Sequence, residues 1–403
     1  MVDKTLLYKR KVLVELAFGN TLSSQDVSVR IEKSLPLTAR ILNEMVEDGV
    51  LKESGYASST GGRRPLVYSL AAGKMYVVSV AMDQLITNIG IIDLHSCEVS
   101  YSQKYDLILS QNPNAYIELV EFISLVIEKS RIRRDKIIGV GIGMPGFVDV
   151  DRGVNYSFMY NDGDSITHFI EQVIKIPVFI DNDSSLIALT ELKFGSARDR
   201  KNVMVINIGW GVGLGLITNG KLFRGNNGFA GEFSHIPLFE NNKLCSCGKS
   251  GCLETEASLL VVLEKAKEEL SKGRASTIKE ISDDFEQSSI NIINAALKGD
   301  QLSVELLSDI AYNIGRGIAI LIHILNPELV VLSGRGALAG NMLLAPIQQA
   351  VNKYCIPRLA AYTQIVVSTF SNNAELIGAA ALVIDNYDKK ELRKAQKMSG
   401  LVS

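Results

Sequence analysis

Gly231–Glu254 reads GEFSHIPLFENNKLCSCGKSGCLE, and the rest of this 403-residue chain is organised around it. His235, Cys245, Cys247 and Cys252 lie close together there, and three of the chain's five cysteines are among them. Thiolate and imidazole donors suit tetrahedral Zn²⁺, and four protein ligands make a closed, structural site rather than a catalytic one. Gly248 and Gly251 let the backbone turn tightly around an ion. The plainer reading is a reactive or merely buried thiol cluster. A bound ion would hold what flanks it, Glu232 and His235 before and Glu254 after, as one wall of a ligand pocket.

Composition bounds the rest. A hydrophobic content of 47% and a charged content of 21% are those of a soluble globular protein. The length points to two or three domains. The net charge of −2 excludes a polycation, so any nucleic-acid contact has to come from a local basic region. The N-terminal run mixes charges with apolar residues and lacks a small-residue cleavage site, which argues against a signal peptide. No stretch is apolar for long enough to span a membrane. With cysteines clustered rather than spread as a disulfide framework, the expected compartment is the cytoplasm.

Residues 1–72 read as a DNA-binding domain. Leu6 to Phe18 is periodic and stops at Gly19-Asn20. Ser23 or Ser24 then caps a second helix over about 25–31. Pro36 fits the first turn of a third helix that runs to about Asp48. Val50–Glu53 and Leu66–Leu70 read as the strands of a wing whose basic tip carries Arg63 and Arg64. This is a winged helix-turn-helix pattern. Leu37, Arg40 and Asn43 lie on the outer face of the third helix, where Arg and Asn can read base edges bidentately. Arg63 and Arg64 can enter a minor groove or hold phosphates. The alternative is a small helical oligomerisation module with a basic loop, and Glu32, Glu44, Glu47 and Asp48 weigh on that side.

From Tyr76 strands and helices alternate. Buried strands are expected at Ile137–Gly143, Val178–Ile180, Glu328–Leu332 and Ile365–Ser368, with hairpins at Tyr76–Leu94 and Val203–Ile217. No short-period repeat stands out. Two α/β lobes imply a cleft as the default ligand site, where Asp183, Glu232, His235 and Glu254 could converge. Carboxylates accept hydrogen bonds from vicinal hydroxyls, which makes sugars natural ligands. Each of these acids taken alone is as compatible with a surface role.

Several segments together, GEFSHI, CSCGKSGCLE, INIGWGVGLGLI, the DND segment at 181–183 and NPELVVLSGRG, resemble the ROK family of repressors and sugar kinases. With the N-terminal helices, the chain resembles its xylose/N-acetylglucosamine repressor type. The resemblance implies an actin-like ATPase (ribonuclease H-like) fold of two lobes. Residues 73–199 and 365–403 would form the N-terminal lobe, with a returning C-terminal helix, and 200–364 the C-terminal lobe. It implies zinc on His235, Cys245, Cys247 and Cys252, and a sugar held by Asn182, Asp183, Glu232, His235 and Glu254. In kinase members the acid matching Asp183 is the general base on the sugar hydroxyl.

Two departures bear on that activity. The first phosphate loop, D-x-G-x-T in kinases, is Asp83-Gln84-Leu85-Ile86-Thr87 here, and Leu85 crowds close phosphate approach. The second, usually Gly-Thr-Gly, is Gly209-Trp210-Gly211; Arg335 stands in a third glycine-rich segment. The sequence therefore predicts a sugar-responsive repressor that is not an enzyme. It would bind an operator as a homodimer or homotetramer, with a sugar or sugar phosphate biasing lobe closure. A partner protein as effector and an activating role stay open. The rival reading is an ATP-dependent sugar kinase with an N-terminal appendage.

Overall fold

A computed structural model describes residues 4–57, 64–110, 112–159, 165–370 and 373–387. They divide into two compact units, Met1–Asp181 with Ala379–Ser403, and Asn182–Gly378.

The first unit begins with helices Lys4–Leu16, Ser24–Arg30 and Leu35–Glu47. Ser23 and Asp26 form a reciprocal capping box at the start of the second helix. Pro36 lies in the first turn of the third, whose Thr38, Ile41, Leu42 and Met45 are buried. Strands Leu51–Tyr56 and Leu66–Leu70 pair antiparallel. The two-residue strand Leu22–Ser23, which the sequence reading takes as a helix cap alone, adds a third member at the other edge of Leu66–Leu70. This module is tied to the body of its unit: the Phe18 N–H donates to the Leu94 carbonyl at 2.7 Å, and the Arg10 guanidinium lies over the Tyr387 ring.

The body of the first unit is a five-stranded sheet in the order Val178–Asn182, Ile137–Met144, Tyr76–Met82, Ile86–Asp93, Glu98–Asp106. Tyr76–Met82 pairs antiparallel with Ile86–Asp93 and parallel with Ile137–Met144. Helices Ala115–Lys129 and Ile166–Ile174 bury Leu119, Ile123, Val126, Ile170 and Ile174 in its core.

In the second unit the order is Lys221–Leu222, Val212–Thr218, Val203–Ile208, Leu329–Ser333, Gln364–Val367. The first three are successive antiparallel neighbours, and the last two join in parallel. Taken in chain order within each unit, both sheets run third, second, first, fourth, fifth. The connectivity is therefore repeated although the sequence shows no repeat. Helix Gln301–Leu325 is the longest apolar element of this unit's core. No helix among the described residues is long and apolar enough to cross a membrane.

The expected lobe boundaries shift. Gln364–Val367 pairs with Leu329–Ser333, which puts it in the second unit rather than with residues 73–199. Helix Asp183–Phe194 also belongs to the second unit, since it packs on strands Val203–Ile208 and Val212–Thr218. The C-terminal helix Ala374–Asn386 starts in one unit and ends in the other.

Candidate functional site

The segment 231–254 folds as a knuckle. Its base is a short antiparallel clasp: Pro237 bridges Cys252, and Leu238 and Phe239 both donate to the Gly251 carbonyl. Its tip is closed by Cys245 N–H donating to the Lys249 carbonyl and Gly248 N–H to the Cys245 carbonyl. Gly251 is required, because φ is +76° and a Cβ there would lie 2.0 Å from the Phe239 carbonyl oxygen. The clasp brings His235, Cys245, Cys247 and Cys252 together, their donor atoms all within 4.8 Å of one another.

The donors fit an ion. Cys247 and Cys252 sulfurs are 3.6 Å apart, and Cys245 Sγ is 3.4 Å from His235 Nδ1. Metal–sulfur bonds of about 2.3 Å and metal–nitrogen bonds of about 2.0 Å at tetrahedral angles give separations of about 3.8 and 3.5 Å. A disulfide would need about 2.05 Å. Burial, together with the neighbouring sulfurs of Cys247 and Cys245, pushes the Cys252 thiol up to about 12. Three sulfurs this close can all be thiolates only around a cation. The cluster can therefore hold a metal ion, with His235 Nδ1 as its nitrogen donor.

The same imidazole faces the other way as well. His235 Nε2 lies 3.7 Å from Glu232 Oε2. Glu254 Oε1 is 3.9 Å from Cys245 Sγ, and its other oxygen lies over Gly211, 2.4 Å from where a Cβ would stand. Burial raises the Glu232 carboxyl above its usual range; the Glu254 charge adds to the rise and His235 opposes it. With 41% of the Glu232 side chain exposed, solvent limits the size of that rise. Glu232, His235 and Glu254 thus form one polar patch against the knuckle. Behind it, Glu256 accepts from Asn241 and pairs with Lys243 and Lys265, tying one arm of the knuckle to the helix that follows.

Asn182 and Asp183 sit where strand Val178–Asn182 turns into helix Asp183–Phe194. The Asn182 side chain caps that helix, accepting from the N–H groups of Ser184 and Ser185. Asp183 Oδ1 accepts from Ser184 N–H at 2.7 Å, and its Oδ2 accepts from Asn207 Nδ2 at 3.3 Å. Asn207 is absent from the sequence-level site; its signal is a polar residue inside the apolar strand VMVINI.

The two altered phosphate loops occupy the same place in the two sheets, the turn between the first and second strands. In the first unit the Asp83 Oδ1 accepts from the Leu85 and Ile86 N–H groups of its own turn, and Thr87 is fully buried. In the second unit Gly209 N–H donates to the Gly211 carbonyl across the turn, and Trp210 is only 6% exposed. Phe285 meets the indole edge-on at 6.4 Å between centroids. The Arg335 guanidinium lies 5.2 Å from the ring centre, held by Glu286 at 2.8 Å. The indole is therefore packed against protein, while Gly209 and Gly211 beside it stay partly exposed.

In the N-terminal module, Arg40 and Asn43 are exposed on helix Leu35–Glu47, and Leu37 is half-buried. Arg40 pairs with Glu44 at 3.7 Å, an exposed contact that yields readily to another acceptor. Arg64 is exposed just before strand Leu66–Leu70, at the far end of its pairing with Leu51–Tyr56; Arg63 lies outside the described residues. The apolar residues Val29 and Leu35, exposed in the same module, escape the sequence reading.

The comparisons agree with this architecture. The "ROK family" model matches residues 86–386. A "putative xylose repressor" of Caldicellulosiruptor sp. is 27% identical over 94% of this chain and 95% of its own. A match that long cannot omit residues 1–85, a fifth of the chain. A "glucokinase" of Halalkalibacterium halodurans is 35% identical over 62% of this chain and 77% of its own. The crystal structure of a ROK family transcriptional regulator, described as a homolog of the Escherichia coli MLC protein, superposes with a TM-score of 0.76. That match is at 25% identity and covers 97% of this chain and 98% of the other. With a family model spanning most of its length and relatives that match it from end to end, the chain belongs to the ROK family.

Proposed function

We propose that this chain is a sugar-responsive, DNA-binding transcriptional regulator, and specifically a repressor of carbohydrate-use genes. The observation that carries this reading is a contrast inside the second unit. The polar groups suited to a sugar are kept, while the turn that would receive nucleotide is packed with Trp210, Phe285 and Arg335. Residues 1–72 are the DNA-binding domain in this reading. Leu37, Arg40 and Asn43 enter a major groove, and Arg63 and Arg64 contact the adjoining groove or backbone. Asn182, Asp183, Glu232, His235 and Glu254 bind the sugar hydroxyls.

Zinc is the ion we assign to His235, Cys245, Cys247 and Cys252; when bound it supplies a structural cross-link and charge for three thiolates. His235 then serves both functions through its two nitrogens, Nδ1 toward the ion and Nε2 toward the sugar side, 3.7 Å from Glu232 Oε2. A repressor of this kind works as a homodimer or homotetramer, since paired half-sites require paired readers. The sugar must bind the DNA-competent and DNA-incompetent states with different affinity to release the operator.

Thermal shift of the full chain against D-glucose, D-xylose, N-acetylglucosamine and their phosphates tests the sugar. Anisotropy with DNA from upstream of its own gene tests the operator. Stabilisation by one sugar, with operator release by the same sugar, is expected. The rival, a sugar kinase, draws on the glucokinase similarity and on Asp183. ADP release with that sugar, abolished by Asp183→Asn, would establish the kinase instead.

A further inference from the structure

We infer that Asn207 is a positioning residue that aims the Asp183 carboxylate at the ligand. The inference rests on the sugar-site reading of Asp183 given above. Asn207 stands in strand Val203–Ile208, an inner strand, opposite Gly213 on one side and Ser333 on the other. A polar side chain in such a strand has to find partners away from its own ladder, where the backbone groups are already paired. Its Nδ2 donates to Asp183 Oδ2 at 3.3 Å and to Ser184 Oγ at 3.2 Å. Both N–H groups of the amide are thus directed at the first turn of the helix that begins with Asp183.

The surroundings admit one orientation of that amide. Reversed, its oxygen would face the Asp183 carboxylate, acceptor against acceptor. The observed amide oxygen lies toward Gly334, where a Cβ would come within 2.3 Å of it. On the other flank a Cβ at Gly213 would stand 1.9 Å from Ser184 Oγ, so only glycine lets the helix start sit this close to the strand. Ser184 in turn donates its N–H and hydroxyl to Asp183 Oδ1, at 2.7 and 3.2 Å. One carboxylate oxygen is held by the helix and the other by the strand, which fixes the plane of the group. A carboxylate oxygen accepts up to two hydrogen bonds, so a grip on Oδ2 from Asn207 is compatible with a sugar hydroxyl arriving from another side. A carboxylate already oriented binds without losing rotamer freedom at that moment.

The alternative is that Asn207 merely stabilises the helix start. The two roles separate in a double-mutant cycle on the full-length chain, with sugar affinity as the readout. Wild type, Asn207→Ala, Asp183→Asn and the double variant are titrated calorimetrically with D-glucose, D-xylose and N-acetylglucosamine. Asn207→Asp, which keeps the shape of the side chain but replaces its donor with oxygen, covers the case in which the alanine variant folds poorly. Asn207→Ala and Asn207→Asp should each weaken sugar binding by about tenfold or more, corresponding to the net worth of one hydrogen bond to a charged group. The double variant should bind no more weakly than Asp183→Asn alone. Additive losses would overturn the inference, as would unchanged affinity in both Asn207 variants while Asp183→Asn binds poorly; in either case the sugar site stands. If Asp183→Asn binds as wild type does, or no sugar of the three binds wild type, the reading of Asp183 falls and the inference falls with it.

Discussion

Cys247 is the exposed member of the cysteine cluster, yet the geometry gives it a ligand's place, 3.6 Å from buried Cys252. Cys247→Ser removes one of four donors. Bound zinc should fall from about one per chain to a small fraction, and the thermal midpoint should drop with it. Because the knuckle carries His235 and adjoins Glu254, sugar affinity should fall by roughly 10-fold or more as well. Elemental analysis and calorimetry check both, and retained zinc with unchanged affinity would refute the ligand set. Arg40 lies at the opposite functional pole. Its exposed pairing with Glu44 is weak, which leaves the guanidinium available for a base edge. Arg40→Ala should weaken operator binding by about 10- to 100-fold and leave sugar affinity unchanged. Equal losses in both would mark a folding defect.

The long helix Gln301–Leu325 depends on its first residue's neighbour. Asp300 is the N-cap, 7% exposed, and its carboxylate accepts from the N–H groups of Ser303 and Thr277 and from the hydroxyls of Ser303, Ser276 and Thr277. Burial opposes the charge, but the hydrogen bonds from Thr277, Ser303 and Ser276 outweigh it and hold the carboxyl well below the usual range. A lowered folded pKa gives stability that is fully present above the unfolded value of about 3.9 and is lost as pH falls below it. Asp300→Asn should therefore cost about 2–3 kcal/mol at neutral pH, and its stability should decline less steeply than wild type below about pH 4. Denaturant titrations at a series of pH values measure this, and parallel curves would disprove it. The Ser23–Asp26 capping box makes a smaller claim: Ser23→Ala should destabilise by about 1 kcal/mol and loosen the N-terminal helices before the rest. Hydrogen exchange over residues 24–30 reports it.

At the scale of the molecule, the same sheet connectivity occurs twice, and the turn after the first strand departs from the kinase pattern in both sheets, by different means. Asp83 Oδ1 is held by its own hairpin, and Trp210 packs under Arg335. On the regulator reading proposed above, two unrelated departures at equivalent places mean that no single reversion confers phosphoryl transfer. Trp210→Thr alone should leave ADP release at background, because Leu85 and the Arg335–Glu286 pair remain; turnover in that variant would show that Trp210 was the only obstacle. Much of this was legible beforehand. Residue type and spacing announced the His/Cys cluster, the three N-terminal helices followed from caps, Pro36 and periodicity, and the loops that depart from the kinase pattern stood out residue by residue. The edge strand Glu98–Asp106 escaped the sequence reading: its period-2 alternation is carried by Val99, Tyr101 and Tyr105, with Gln103 breaking the apolar series.

By itself the sequence determined the family resemblance, the four-residue donor set and most of the order of helices and strands, since each depends on local residue chemistry or short-range periodicity. Only the tertiary structure decided that Gln364–Val367 joins the second sheet, that His235 turns one nitrogen to the cysteines and the other to Glu232, that Arg335 covers Trp210, and that Asn207 reaches Asp183. Those facts depend on register and on contacts between residues far apart in the chain, and such distances are set by how elements pack rather than by where residues fall in the sequence.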